Sequence, residues 1–562
     1  MLSGLIPRLP LLLLAPAALA LLLLVPGVAE TAPPGVSFGI AHKATWLDPH
    51  GVLLLRLSQA PRSSTNEGTQ LMCTMTLLKT DDTHNAGVAR QARASVAAGA
   101  AGGGVTPDAC SNRSDCTQEL QALLNSGASN IRVPALRDPA GPWLVAPLML
   151  PSQATVTFEP GCVISALPGA AGQHAYKSPA AVLFTAPKSS NLTILGHGAV
   201  WRMQRRQYAD LSLYTPAEWR HTLKLQEVNG VTLIGLTLEE SGGDGIYVGA
   251  GSANVHIEKV KLLRHYRQAM SVIGASNMTV VDSLFGSTGR DGYGTAPAAG
   301  LDVEPNSPNT SLVGIRFLNC NFSDNFGSQV QFSLGKLGPS APPVDIRIEY
   351  CRVDGNATAL IRQLGTRANT VCASGPKHTG RSHSCTNASC LGSACYSSPS
   401  PGWELSSNPG QRGEISIVDV STTNTLDHGL WIRDMAPDGL RYTFRRSSFS
   451  HTALRTNPLH FPNFTSARGT TLLPTPVGVT PMGKHAWGVG GEAVGNVRFQ
   501  NVSVTDFSSR PWLLAERTRS LGLTGSVQVM NPHGCQVESE GGGSWTGNFS
   551  SNLSIVCHTK SM

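Results

Sequence analysis

The feature that most restricts this chain is a short unit that returns about every two dozen residues. It reads Asn229-Gly-Val-Thr-Leu-Ile-Gly, Asn254-Val-His-Ile-Glu and Asn277-Met-Thr-Val-Val-Asp, with starts 25 and 23 residues apart, and an earlier copy is Asn191-Leu-Thr-Ile-Leu-Gly. Weaker copies begin at Ser311, Val344, Glu414 and Asn496. Each unit alternates apolar and polar residues and is cut off by Gly, Asn, Ser or Pro, the pattern of a short strand between turns. Strand alternation repeated at this spacing is the mark of a β-solenoid. The leucine framework and helical stretch of a leucine-rich repeat are missing. The expected fold is therefore all-β, a parallel β-helix with loops inserted between coils.

Composition agrees. Charged residues make up 14%, with 59 Gly and 37 Pro, which suits a turn-rich β protein and excludes coiled-coil or disordered classes. The net charge of +7 is Arg-biased, which suits either a carboxylated or sulfated polymer or an ordinary solvated surface. No Lys/Arg run is dense enough for nucleic acid.

Three signals point to the secretory route. Residues 1–29 read as a signal peptide, with Arg8, an apolar stretch from Leu9 to Val25, and Gly27 and Ala29 before a cut at Glu30; an uncleaved anchor is the alternative. Apart from such an anchor, no membrane association is expected. Asn-x-Ser/Thr acceptors occur at Asn112, Asn191, Asn277, Asn309, Asn321, Asn356, Asn387, Asn463, Asn501, Asn548 and Asn552, although several double as turn asparagines. The 12 cysteines suit an oxidising compartment. Cys110 with Cys116, and Cys535 with Cys557, would close small loops, while Cys320 and Cys351 end similar stretches and would face each other on neighbouring coils. Cys372, Cys385, Cys390 and Cys395 crowd an insertion near 365–411 with His378 and His383; disulfides are the expectation there, zinc the alternative.

Residues 30–104 show no clear periodicity and end in an Ala/Gly-rich linker. The ordered region is expected from 105 to 562. Thr117 to Asn125 reads as an amphipathic helix with Leu120, Leu123 and Leu124 on one face, placed to cap the open end of the strand stack.

Candidate chemistry gathers on consecutive coils. In Gly300-Leu-Asp-Val-Glu-Pro, an inward Leu301 and Val303 would leave Asp302 and Glu304 outside, about 6.6 Å apart by strand rise, near the separation of glycosidase carboxylate pairs. An acidic edge of this kind also suits calcium, though no clear calcium motif is present. One coil contributes Asp244, Ile246, Tyr247 and Val248; the next contributes His265, Arg267, Met270 and Val272. The inward positions 246, 270 and 301 lie 24 and 31 residues apart, and a loop of about seven residues restores the period. Asp244, Tyr247, His265, Arg267, Asp302 and Glu304 should then meet within about 10 Å. A further segment carrying Arg202, Tyr208, Glu218, Trp219 and Arg220 is expected to form a lid over the groove, with a helix starting near Thr215; Trp219 would either stack on sugar or anchor the insertion.

Taken together, Leu120–Asn125, Phe158-Glu-Pro-Gly161, Gly196-His-Gly198, the Arg202/Tyr208/Glu218–Arg220 segment, Gly243-Asp-Gly-Ile-Tyr247, Arg267-Gln268 and Gly300–Pro305 resemble right-handed parallel β-helix proteins of the pectate-lyase-like superfamily. The resemblance covers residues 105–360 well. It implies the fold of pectate lyases, polygalacturonases, alginate lyases and mannuronan epimerases, mostly acting on acidic polysaccharides, without fixing a reaction. The adjacent aspartates of polygalacturonases are reduced here to Asp244. The Asp-Pro-His-Glu motif of the epimerases is absent, since Asp48-Pro-His50 continues with Gly51. The expectation is a secreted glycoside hydrolase-like protein acting on an extended glycan. Asp302, Glu304 and Asp244 would be catalytic, and Arg267, His265, Tyr247, Arg202, Tyr208, Glu218 and Arg220 would bind substrate. The rivals are a non-catalytic glycan-binding or matrix protein, a lyase or epimerase, and a surface protein without ligand.

Overall fold

The structure is a computed structural model that describes residues 43–48 and 51–56, Cys110 and, with short breaks, residues 115–356, 401–450 and 487–559. The signal-peptide segment and the Cys372–Cys395 cluster lie outside the described residues. The chain divides into two units, residues 1–100 and 101–562. In the first, Lys43–Asp48 and Gly51–Arg56 pair antiparallel, a hairpin where the sequence offered no period.

The second unit is a right-handed parallel β-helix. One sheet stacks twelve parallel strands from Leu148–Met149 to Val537–Ser539, and the remaining strands form a 24-stranded array. The register of 246, 270 and 301 is the predicted one, Ile246 pairing with Met270 and Met270 with Leu301, and the column continues from Leu301 to Val330. These residues and the column Val248, Val272, Val303, Phe332 are 0–1% exposed. Side chains that alternate along a strand thus build continuous apolar columns along the interior, each buried residue contributing about 1.5–3 kcal/mol of transfer free energy. Phe285 and Phe322 stack at 4.6 Å on adjacent coils.

The recurring asparagine has a backbone role. Asn191, Gly230, Asn254, Asn277 and Gly314 fall at one register position, all with φ between 50° and 76°. This left-handed corner is tolerated best by Gly and Asn, so the repeat marks where each coil turns. The exposed carboxamides also chain together, Asn277 donating to Asn254 and Asn254 to Asn229 at 2.5 and 2.7 Å.

The capping helix runs Thr117–Leu124 and buries Leu120, Leu123 and Leu124. Its Gln121 carboxamide accepts from the Met149 N–H at 2.8 Å and donates to the Met149 carbonyl at 3.0 Å. A side chain thereby stands in for the missing strand at the edge of the twelve-stranded sheet. Near the far end Cys535 and Cys557 form a disulfide. Cys320 and Cys351 do meet on neighbouring coils, the Cys320 N–H donating to Cys351 Sγ at 3.2 Å, and both are thiols. Cys110 and Cys116 are buried and hydrogen-bonded through their side chains.

Candidate functional site

The outward positions of the twelve-stranded sheet form a ladder alongside the apolar columns. Lys224, Tyr247, Ser271, Asp302, Gln331, Glu404 and Trp431 are register partners in that order. Asp302 therefore points outward as expected, and Glu304, two residues on, joins it at the strand's end.

Arg267 is the hub of the cluster. Its guanidinium donates to Glu304 Oε2 at 2.8 Å and to Gln268 Oε1 at 3.1 Å. It also lies 3.5 Å from Asp244 Oδ2 and 3.6 Å from Glu218 Oε2. Because Gln268 accepts from Arg267, its amide nitrogen faces Asp302 and donates to Oδ2 at 2.6 Å. Ser271 Oγ contacts both Asp244 Oδ2, at 2.5 Å, and Gln268 Oε1. A hydroxyl carries one proton. If Ser271 gives it to Gln268, the contact with Asp244 needs a proton from the Asp244 carboxyl; if not, two lone pairs collide at Gln268. A proton on Asp244 would satisfy both contacts.

The electrostatics agree. Asp244 and Asp302 are 0% and 1% exposed. Desolvation pushes Asp244 up to about 7 against the opposing pull of Arg267 and Ser271, and it pushes Asp302 well above the usual carboxylate range, helped by the negative charge of Glu304. Glu304 keeps 28% of its side chain open. Two carboxyl groups on one strand end thus differ in environment, one dry and pushed towards its protonated form, one half-buried and bonded to a cation.

His221 completes the floor. Its Nδ1 accepts from the Asp244 backbone N–H at 3.0 Å, and burial followed by the field of Arg267 takes its pKa down to about 3. The ring is neutral and stacks on Tyr247, centroids 4.9 Å apart. Lys224 Nζ sits 5.5 Å from the Tyr247 centroid.

Of the ten nominated residues, the structure gathers Asp244, Tyr247, Arg267, Asp302, Glu304 and Glu218. Four do not face the groove. His265 is fully buried, its Nδ1 2.9 Å from Ser241 Oγ. Arg264 before it has φ of 55°, a left-handed corner that swings His265 inward, as happens at Ser241, Thr288 and Asn325 on neighbouring coils; all four are 0% exposed. Arg202 lies in the other array and donates to Glu239 Oε1 at 2.5 Å. Tyr208, on the four-residue helix Arg205–Tyr208, is 5% exposed and packs edge-on against Tyr214. Arg220 is 1% exposed and spends its donors on the carbonyls of Tyr176, Lys177 and Thr215 at 2.7–3.1 Å, lying over the rings of Tyr208 and Tyr214. These two pack inside the segment expected as a lid. No helix begins near Thr215; the described residues there form turns. Trp219 is 56% exposed, so it does not anchor the insertion.

The sequence reading gave Gln268 only as part of the Arg267-Gln268 motif, with no role, and nominated neither His221 nor Ser271. The last was accessible, since it shares the register column of Tyr247 and Asp302; His221 had no such signal. Among the described residues no group of three or more His, Cys, Asp or Glu is arranged to hold a metal ion.

The architecture is that of the right-handed parallel β-helices, the pectate-lyase-like fold. No family model and no curated protein match the chain. Among solved structures it is similar to the A-module of the Azotobacter vinelandii mannuronan C-5 epimerase AlgE6, at 10% identity over 80% of this chain and 96% of that one, with a TM-score of 0.47. The Streptococcus pneumoniae surface adhesin PfbA matches at 11% identity over 77% and 91%, TM-score 0.41. A polygalacturonase from Erwinia carotovora matches at 10% identity over 79% and 94%, TM-score 0.29.

Proposed function

We propose that this chain is a secreted, polysaccharide-active β-helix protein that works as a glycoside hydrolase at the Asp302–Glu304 strand end. The observation that carries the reading is the contrast between these two carboxyl groups, which lie on one face two residues apart. Burial, helped by the charge of Glu304, holds the Asp302 carboxyl well above the usual carboxylate range, which favours its protonated form. Glu304 is open to a ligand and held by Arg267. General acid and general base are what glycosidic cleavage needs from a carboxyl pair. Asp302 would protonate the leaving oxygen, and Glu304, still paired with Arg267, would accept a proton from the attacking water. Asp244, Gln268 and Ser271 position the pair. Secretion is supported by the apolar leader, the Cys535–Cys557 disulfide and the exposure of the acceptor asparagines Asn191, Asn277, Asn309, Asn501 and Asn552.

A second reading, non-catalytic glycan binding, is favoured by the closure of Asp302 and Asp244, at 1% and 0% exposure. Reducing-end release from a glycan panel separates the two. A hydrolase loses turnover by about 100-fold or more on Asp302→Asn or Glu304→Gln while its glycan affinity persists. A binding protein releases no reducing ends in any form. Unsaturated uronate ends would instead make it a lyase and overturn the proposal.

A further inference from the structure

We infer that the groove takes an uncharged glycan, a conclusion that rests on the polysaccharide reading above and narrows it. The chain's overall charge is +7, which by itself favours an acidic polymer, but overall charge does not describe one groove. Along the outward ladder the guanidinium groups of Arg267 and Arg433 already face carboxylates. Arg267, beside Asp302, is answered by two carboxylates, Glu304 at 2.8 Å and Glu218 at 3.6 Å, with Asp244 at 3.5 Å behind them. Further along, Arg433 lies 3.3 Å from Glu404. Lys224 sits over the Tyr247 ring.

A uronate approaching Arg267 would have to displace Glu304 or become a further anion on one guanidinium. Glu304 and Glu218, 28% and 42% open, both face the solvent from which it arrives. Like charges brought to a partly desolvated site repel by more than they would in water. A hydroxyl has no such difficulty: it donates to Glu304 or Glu218 and leaves the guanidinium its charge partners.

The apolar part of the groove fits the same ligand. Trp431 is three coils from Asp302, about 14 Å at the inter-strand spacing, and is half-buried beside His428 with ring centroids 4.9 Å apart. Its register partner on the next coil is Gly488. Two residues on, a Cβ on Gly490 would come within 3.3 Å of the indole. Glycine at both positions puts no side chain of that strand against the indole. Trp219 offers a second exposed ring, 56% open. Indole faces hold the C–H face of a sugar without calling on charge.

The test is affinity electrophoresis of the full secreted protein through gels containing neutral polymers (xylan, mannan, mixed-linkage glucan) or uronate polymers (polygalacturonate, alginate), at low and at about 0.3 M salt. Retention by a neutral polymer, unchanged by salt and weakened about tenfold by Trp431→Ala, is the expected result. In the double variant Glu218→Gln with Glu304→Gln, uronate retention should appear where the natural chain shows none, because Arg267 is freed. Salt-sensitive retention by uronate polymers alone in the natural chain overturns the inference and leaves the polysaccharide reading standing. Retention by no polymer overturns both.

Discussion

Replacing Asp244 by Asn tests whether the buried hydrogen-bond chain holds a proton. The side chain is 0% exposed and its carboxyl titrates at about 7, against about 4 for an aspartate in an unfolded chain. Below about pH 4 both states hold the proton and the residue makes no difference to the pH dependence. As pH rises from 4 to 7 the unfolded chain releases its proton while the folded one keeps it, so folding loses stability. Above 7 the loss is constant. The gap between the two values corresponds to roughly 4 kcal/mol. Asn keeps the size, donates to Ser271 Oγ in place of the acid proton and cannot ionise. Relative to the natural chain, Asp244→Asn should therefore gain about 4 kcal/mol between about pH 4 and pH 8. Comparing urea midpoints of the two proteins at several pH values, by far-UV circular dichroism, removes every other titrating group from the difference. Parallel curves across that interval would show that Asp244 ionises normally, and the proton count at Ser271 would be wrong.

Other consequences are simpler to read. Gly245→Ala places a Cβ 2.4 Å from His265 Nε2 and 2.5 Å from the Ala269 carbonyl, so it should cost about 1–3 kcal/mol or more by overpacking, seen as a lower thermal midpoint. Arg220→Met removes donors from three backbone carbonyls in a closed site. It should destabilise by about 3 kcal/mol and raise proteolytic nicking in residues 205–220, whereas an unaltered digestion pattern would mean that Arg220 does not organise the lid. Arg267→Met leaves Glu304 open to water and Asp244 without its charge partner. Asp244 and Asp302, both of which Arg267 pulls down, should then hold their protons to higher pH, and in a hydrolase the alkaline limb of the pH–rate profile, set by the acid Asp302, should move up.

Much of the fold was legible because a solenoid writes its period into the chain. Apolar residues at 246, 270 and 301 had to superpose if one face was to stay dry, and that register places Tyr247, Ser271 and Asp302 in one column. The capping helix was equally plain from three leucines on one face. The asparagine at the start of each unit was legible as a turn, and its left-handed φ explains why Gly replaces it at 230 and 314.

What the sequence alone determined, then, is the coil repeat, the columns that stack and the candidates those columns bring together. Only the tertiary structure decided which of them a ligand can reach. A corner residue such as Arg264 reverses the face of its neighbour, which took His265 inside. Burial depends on what an insertion folds over, which turned Arg220 and Tyr208 from groove residues into packing inside the segment expected as a lid. Environment depends on desolvation and on partners from other coils, which closed Asp302 off and pushed its carboxyl up while leaving Glu304, on the same strand end, part-open and bonded to Arg267.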